Sequence, residues 1–220
     1  GKSTLLYALS CMDGITGGKV FYKDKVISGA KEKIMAPIRA REFGFVFQQT
    51  HLVSNLTLLE NVSVAGYLDK SRDSKEVRAR AEELFKAMDI YEAKDRYPSQ
   101  VSGGEAQRAA IARAIINEPG IVFADEPTGA LNKRNTIQVL DILTDLNKNG
   151  QSIVMVTHDS RAAIRATRLL YIEDGKVIGE MEMPPYEEEQ KWKTPVSWQC
   201  LFYRNPPPAQ SDRGSFLQSL

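Results

Sequence analysis

Apolar residues first cluster at helical spacing. After Gly1, the run KSTLLYALSCM keeps apolar positions about a turn apart as far as Asp13-Gly14, which predicts a helix beginning at Lys2 and stopped by that pair. The next stretch, GKVFYKDKVI from Gly18 to Ile27, alternates in short β-prone pieces about a Lys-Asp turn, and EFGFVFQ from Glu42 to Gln48 is a second β-rich run. These predict a small antiparallel patch followed by a core strand.

From residue 50 to about 100 the pattern turns helical. SKEVRARAEELFKAMDI puts Val77, Ala81, Leu84, Phe85 and Met88 on one face, with Ser74 placed to cap. QVSGGEAQRAAIARAIINEP then runs from a serine and two glycines into an Ala/Ile-rich helix that must stop before Pro119. Two short, wholly apolar strands follow: Ile121 to Ala124, ending in Asp125-Glu126, and SIVMVT, ending in His158. Strands apolar on both faces and separated by helical stretches such as Asn135 to Asn147 predict a parallel sheet covered by helices. Polar groups at the carboxyl ends of such strands are where these sheets bind ligands. LLYIEDGKVIGEME closes the pattern as a hairpin turning at Asp174-Gly175. From Pro184 periodicity is lost, and the tail reads as a solvated or disordered extension, or as a docking segment or out-of-frame translation carrying Trp192, Trp198 and Phe202.

Composition narrows the function classes. The 220 residues carry a net charge of +1, which gives no electrostatic case for nucleic acid or an anionic membrane surface as the main partner. The two cysteines, Cys11 and Cys200, match no metal-ligand spacing and suit a reducing compartment. No stretch reaches the ~18 apolar residues of a membrane span, so a protein acting at a membrane would need a partner to supply the spans.

Five motifs stand in one order: GKST, FVFQ, VSGGEAQR, IVFADEP and VTHD. GKST is the end of the pattern G-x-x-x-x-G-K-[ST], so the sequence is expected to begin inside a phosphate-binding loop, without the strand before it. Asp125, ending an apolar strand, is costly to bury without a partner, and a magnesium ion with its waters would be one. The two glycines after Ser102 open a helix start suited to an anion, far along the chain from Lys2.

In that order and spacing the motifs resemble the ATP-binding cassette of ABC transporters, over roughly residues 1 to 180. ADEPTGALNKRNT looks most like the cassettes of the macrolide-export, lipoprotein-release and bacitracin-type peptide-export group. The resemblance implies an α/β P-loop NTPase fold with a parallel-sheet core, a small antiparallel β region and a helical subdomain. It would span residues 1–183, with the helical subdomain at about 50–112 and a tail at 184–220. It implies ATP and Mg²⁺ as cofactors. Gly1, Lys2, Ser3 and Thr4 would cradle the phosphates, with Lys2 over the β- and γ-phosphates, and Ser3, Gln48 and Asp125 would serve the metal. Glu126 would be the general base, His158 would touch the γ-phosphate, and Gln48 would couple core to helical region; Gln49, its neighbour, fits the register less well.

In the family two cassettes bind head to tail, so Ser102, Gly103, Gly104 and Glu105 would meet ATP held by the other copy. The second partner implied is a membrane-spanning permease, which would hold the protein peripherally at the cytoplasmic face of the cell membrane. The arm from Gln49 to Leu68 is where a cytoplasmic helix of that permease would dock, with Leu52 and Leu56 as its apolar contacts. One departure stands out: Ala130-Leu131-Asn132 has asparagine where the family usually has aspartate. Two rivals remain, a soluble cassette without a transport role and an incomplete fragment lacking a competent site. On the second, the 220-residue chain is expected to bind Mg-ATP poorly and an upstream-extended version well.

Overall fold

The computed structural model describes residues 1–184, 186 and 200–204, the last five by backbone alone. Helix α1 (Lys2–Leu9) is followed by a two-strand hairpin, β1 (Phe21–Tyr22) and β2 (Lys25–Val26). Its turn residues Lys23 and Asp24 both have positive φ, 46° and 61°, the conformation a two-residue hairpin turn requires. Helix α2 (Glu32–Glu42), with Pro37 inside it, then leads into β3 (Phe43–Phe47). The helical arm contains α3 (Leu58–Gly66), α4 (Ser74–Ala87), two single 3₁₀ turns and α5 (Gly103–Ile115). There follow β4 (Ile121–Asp125), α6 (Lys133–Lys148), β5 (Ser152–Thr157), the short α7 (Ser160–Ala163), the hairpin β6 (Arg168–Glu173) with β7 (Lys176–Glu182), and β8 (Cys200–Arg204).

The main sheet runs β3-β4-β5-β8-β6-β7. β3, β4 and β5 are parallel, in a register that brings Phe47 opposite Asp125 and Asp125 opposite Val156. Their carboxyl ends therefore stand side by side. Alternate residues feed two cores: Val46, Val122, Ala124, Ile153 and Met155 pack with α3, α4, α5 and α6, whereas Phe43, Phe123, Val154 and Val156 pack with Leu6 of α1 and Met35 of α2. Both faces are covered, which is why these strands read as unbroken apolar runs. Gly44 allows the closest approach between layers, since a Cβ there would collide with the Ala114 carbonyl of α5.

Several expectations change in detail. Val77, Ala81, Leu84, Phe85 and Met88 are buried as the helical pattern requires. The cap of α4, however, is Asp73: its carboxylate accepts from the N–H groups of Lys75 and Glu76, and Ser74 is the first helical residue. An aspartate one position earlier satisfies two first-turn donors where a serine would satisfy fewer. Residues 200–204 form a strand, antiparallel to both β5 and β6, where the sequence reads as a solvated extension. The run CLFYR is short but β-prone, and backbone pairing with β5 and β6 takes it into the sheet. Phe202 lies on this strand, and Trp192 and Trp198 fall outside the described residues.

Candidate nucleotide site at the strand ends

The strand ends meet the start of α1. Asp125, the last residue of β4, is only 9% exposed. Its two carboxylate oxygens accept from two hydroxyls of α1: Ser3 Oγ donates to Oδ1 and Tyr7 OH to Oδ2, each at 2.8 Å. Ser3 and Tyr7 are four residues apart and so share one helix face. Burial, followed by the hydrogen bond to Asp125, pushes the Tyr7 hydroxyl up to about 12, so it remains a protonated donor at neutral pH. Gly1 caps α1 without a side chain. The first-turn N–H groups of a helix have no intrahelical acceptor, and here they mark the positive end of the helix dipole.

Glu126 turns sharply out of β4 with φ +48°, a left-handed conformation that costs a residue with a Cβ about 1–2 kcal/mol. Two backbone bonds hold the turn: Glu126 N–H donates to the Val156 carbonyl at 2.8 Å, and the Glu126 carbonyl accepts from Gly129 N–H at 3.0 Å. The turn carries the carboxylate across to the end of β5, where Glu126 Oε2 lies 2.7 Å from His158 Nδ1. The two side chains thus make a close polar contact where the ends of β4 and β5 meet. Gln48 is the first residue after β3, and its side chain lies against Gly129: a Cβ added there would stand 2.8 Å from Gln48 Nε2.

Ser3, Asp125, Glu126, His158 and Gln48 thus gather at the carboxyl ends of three adjacent parallel strands. Ser102 to Glu105 do not join them among the described residues. Ser102 Oγ accepts from Glu105 N–H at 3.3 Å and donates to Glu105 Oε2 at 2.6 Å, and Ser102 N–H donates to the same oxygen at 2.8 Å. This capping box starts α5, and the Ser102 hydroxyl and N–H hold the Glu105 carboxyl below its ordinary range. Gly104 is buried against the Asn135 side chain of α6, leaving no room for a Cβ. Asn132, in the aspartate position, caps α6 by accepting from Asn135 N–H at 3.0 Å. The amide oxygen performs that capping without a charge.

Three residues that the motifs did not single out brace the site. Tyr7 holds Asp125; Gln107, fully buried on α5, donates to the Phe47 carbonyl at 3.0 Å; and Arg113, two turns further along α5, donates to the carbonyls of Thr50 at 2.7 Å and His51 at 2.8 Å. Gln107 and Arg113 thus clamp both sides of Gln48. The only sequence signal was spacing: Tyr7 follows Ser3 by one turn, and Gln107 stands in the same motif as Ser102.

Residues 1–129 match the family model described as ABC transporter. The chain belongs to the ABC transporter family. This cassette is 47% identical over 181 residues to the lipoprotein-releasing system ATP-binding protein LolD of Aquifex aeolicus, covering 82% of this chain and 80% of that one. It is 41% identical over 186 residues to the bacitracin export ATP-binding protein BceA of Halalkalibacterium halodurans, covering 82% and 72%. Among solved structures, a dimeric post-hydrolysis state of the ATP-binding cassette MJ0796 bound to ADP and Pi superposes with a TM-score of 0.76 at 35% identity, covering 84% of this chain and 82% of that one. The fold is therefore the α/β cassette the motifs imply, and the protein is a nucleotide-binding ATPase of the transporter kind.

Proposed function

We propose that this cassette is the ATPase subunit of an exporter for a peptide, antibiotic or lipoprotein-like substrate, powering a separate permease from the cytoplasmic face of the cell membrane. The names of its relatives support the export class. Among the described residues no helix is long and apolar enough to cross a membrane, so spans would come from the permease. The cassette unit would comprise residues 1–183, with a helical subdomain at about 50–112 and the remainder as a tail.

In this reading the phosphates of ATP lie at the start of α1, on the backbone of Gly1 to Thr4, with Lys2 over the β- and γ-phosphates. Ser3, Asp125 and Gln48 would hold the magnesium ion. The donor set fits: a hydroxyl and a carboxylate are hard oxygen ligands, and such an ion keeps few protein ligands beside phosphates and waters. The bound ion supplies charge neutralisation of the phosphates. Glu126 takes the proton of the attacking water, and His158 orients Glu126 and offers its outer nitrogen to the γ-phosphate.

The second copy of a head-to-tail dimer supplies Ser102, Gly103, Gly104 and Glu105 to the same nucleotide, and the dimeric relative supports that assembly. The permease docks on the arm, where Val53, Val64, Tyr67 and Leu68 are exposed apolar residues. Leu68 also lines an open cavity of about 280 Å³, together with Phe45, Phe47, His51 and Arg113. Leu52 and Leu56, the contacts the sequence suggests, are only partly exposed, and Leu52 packs on the core.

The observation that carries this reading is the 2.7 Å contact between Glu126 and His158 beside the Ser3–Asp125 pair. Replacing Glu126 with Gln keeps the shape and removes the base. The variant should retain Mg-ATP, favour the dimer and lose turnover when phosphate release is measured, and normal turnover would remove Glu126 from the role.

A further inference from the structure

Asp125 has two carboxylate oxygens and, among the described residues, two hydroxyl donors. Ser3 Oγ donates to Oδ1 and Tyr7 OH to Oδ2, each at 2.8 Å. The terminal torsion of an aspartate is broad and nearly two-fold, so a carboxylate held at one oxygen can still turn. Held at both, its plane is fixed.

Tyr7 is itself anchored. Its carbonyl accepts from Ser10 Oγ at 3.1 Å and from the N–H groups of Met12 at 2.9 Å and Asp13 at 3.2 Å, which fixes its backbone at the end of α1. Its ring leans on Phe47, centroids 6.5 Å apart at 57°, and Phe47 is the residue paired with Asp125 across β3 and β4. The ring of Phe47 continues a row through Phe45 and Phe123 to Phe43 on the covered face of the sheet. The hydroxyl of Tyr7 is therefore aimed at Oδ2 by a helix end and by an aromatic row, not by a free side chain.

We propose that Tyr7 is a positioning residue for the metal-linked nucleotide: it locks the Asp125 carboxylate in the orientation in which Asp125 and Ser3 together receive the magnesium of Mg-ATP. This rests on the assignment of Asp125 and Ser3 to the metal. Of the two donors to Asp125, only Ser3 is also assigned to the ion. Tyr7 is the one whose whole part is to hold the carboxylate. A hydrogen bond behind a metal-binding carboxylate sets its direction and basicity, and losing such a partner weakens metal binding about 10- to 100-fold.

The test is Tyr7→Phe in the full 220-residue chain, which keeps the ring against Phe47 and removes only the hydroxyl. ATP binding is measured by calorimetry with Mg²⁺ in excess and again in EDTA, alongside thermal melting. The expected result is a loss of about tenfold in the affinity that Mg²⁺ adds, with metal-free ATP binding unchanged and melting lowered only by the few degrees that one hydrogen bond to a buried carboxylate accounts for. Equal losses with and without Mg²⁺ would make Tyr7 a merely structural residue and overturn the proposal, and so would no loss in either condition. If the unaltered chain binds ATP no better with Mg²⁺ than without, the assignment of Ser3 and Asp125 to the metal falls first and the proposal with it. The unaltered chain thus separates the two failures.

Discussion

Changing His158 to Ala removes the imidazole that lies 2.7 Å from Glu126, and its effects on stability and on turnover should differ sharply in size. A well-aligned hydrogen bond to a buried charged group would contribute roughly 1.5–3 kcal/mol, and the Glu126–His158 pair is a close polar contact rather than such a bond. Here the His158 side chain is 67% exposed and that of Glu126 17%, so solvent screens the pair from the histidine side. The stability cost belongs at the low end, about 1 kcal/mol or less, and for a chain of this size that lowers melting by about 2–4 °C. Glu126 also keeps its two backbone bonds, to Val156 and from Gly129, so its carboxylate should not leave the site. In the proposed function turnover depends on that carboxylate being aligned for proton transfer, a contribution of about 10²–10⁴-fold. Phosphate release by the assembled transporter at saturating Mg-ATP, with melting measured in parallel, should therefore show a fall of about 100-fold or more in rate beside a small shift in stability. Turnover near the unaltered level would refute the reasoning. So would a collapse in melting temperature of a size seen for core residues, because His158 would then be holding the fold.

Two further outcomes are expected. The Glu105 carboxyl is held below its ordinary range by the Ser102 hydroxyl and N–H, so its ionised form favours the folded state. That contribution is complete above the usual carboxylate range and is lost as pH falls through the lowered value; Glu105→Gln keeps the capping geometry without a titrating group. In urea unfolding across pH 3–7 the unaltered protein should lose up to about 1 kcal/mol more than the variant on acidification, and parallel curves would contradict the assignment. On the arm, Val53→Asp with Leu68→Asp replaces two exposed apolar residues. Substrate export by the reconstituted complex should fall while ATP binding by the isolated cassette stays unchanged, and undiminished export would move the docking surface elsewhere.

Much of the fold is legible because its signals are local. The Lys23-Asp24 and Asp174-Gly175 turns name their hairpins, and β4 and β5 show unbroken apolar runs because each alternates between two cores. Helix α2 is not legible: of its apolar residues only Met35 is buried, and Pro37 reads as a helix stop. Strand β8 is illegible for a different reason. Its run CLFYR is β-prone in composition, but its place between β5 and β6 comes from backbone pairing with strands far back in the chain, which the sequence does not announce.

The site divides along the same line. Ser3, Asp125, Glu126 and His158 are legible because each stands at the end of a strand or the start of a helix, where an apolar pattern gives no reason for a polar residue. Tyr7, Gln107 and Arg113 sit inside helices, where tyrosine, glutamine and arginine need no explanation. Their partners lie 118, 60 and 62 residues away in sequence, at Asp125, Phe47 and His51. Only the fold supplies those meetings, and they alter what the motifs mean. The SGGE motif is more than a helix start, because the same rigid α5 reaches the carbonyls on either side of Gln48. The helix that Ser102 caps is thus the same one whose Gln107 and Arg113 hold the backbone on either side of Gln48.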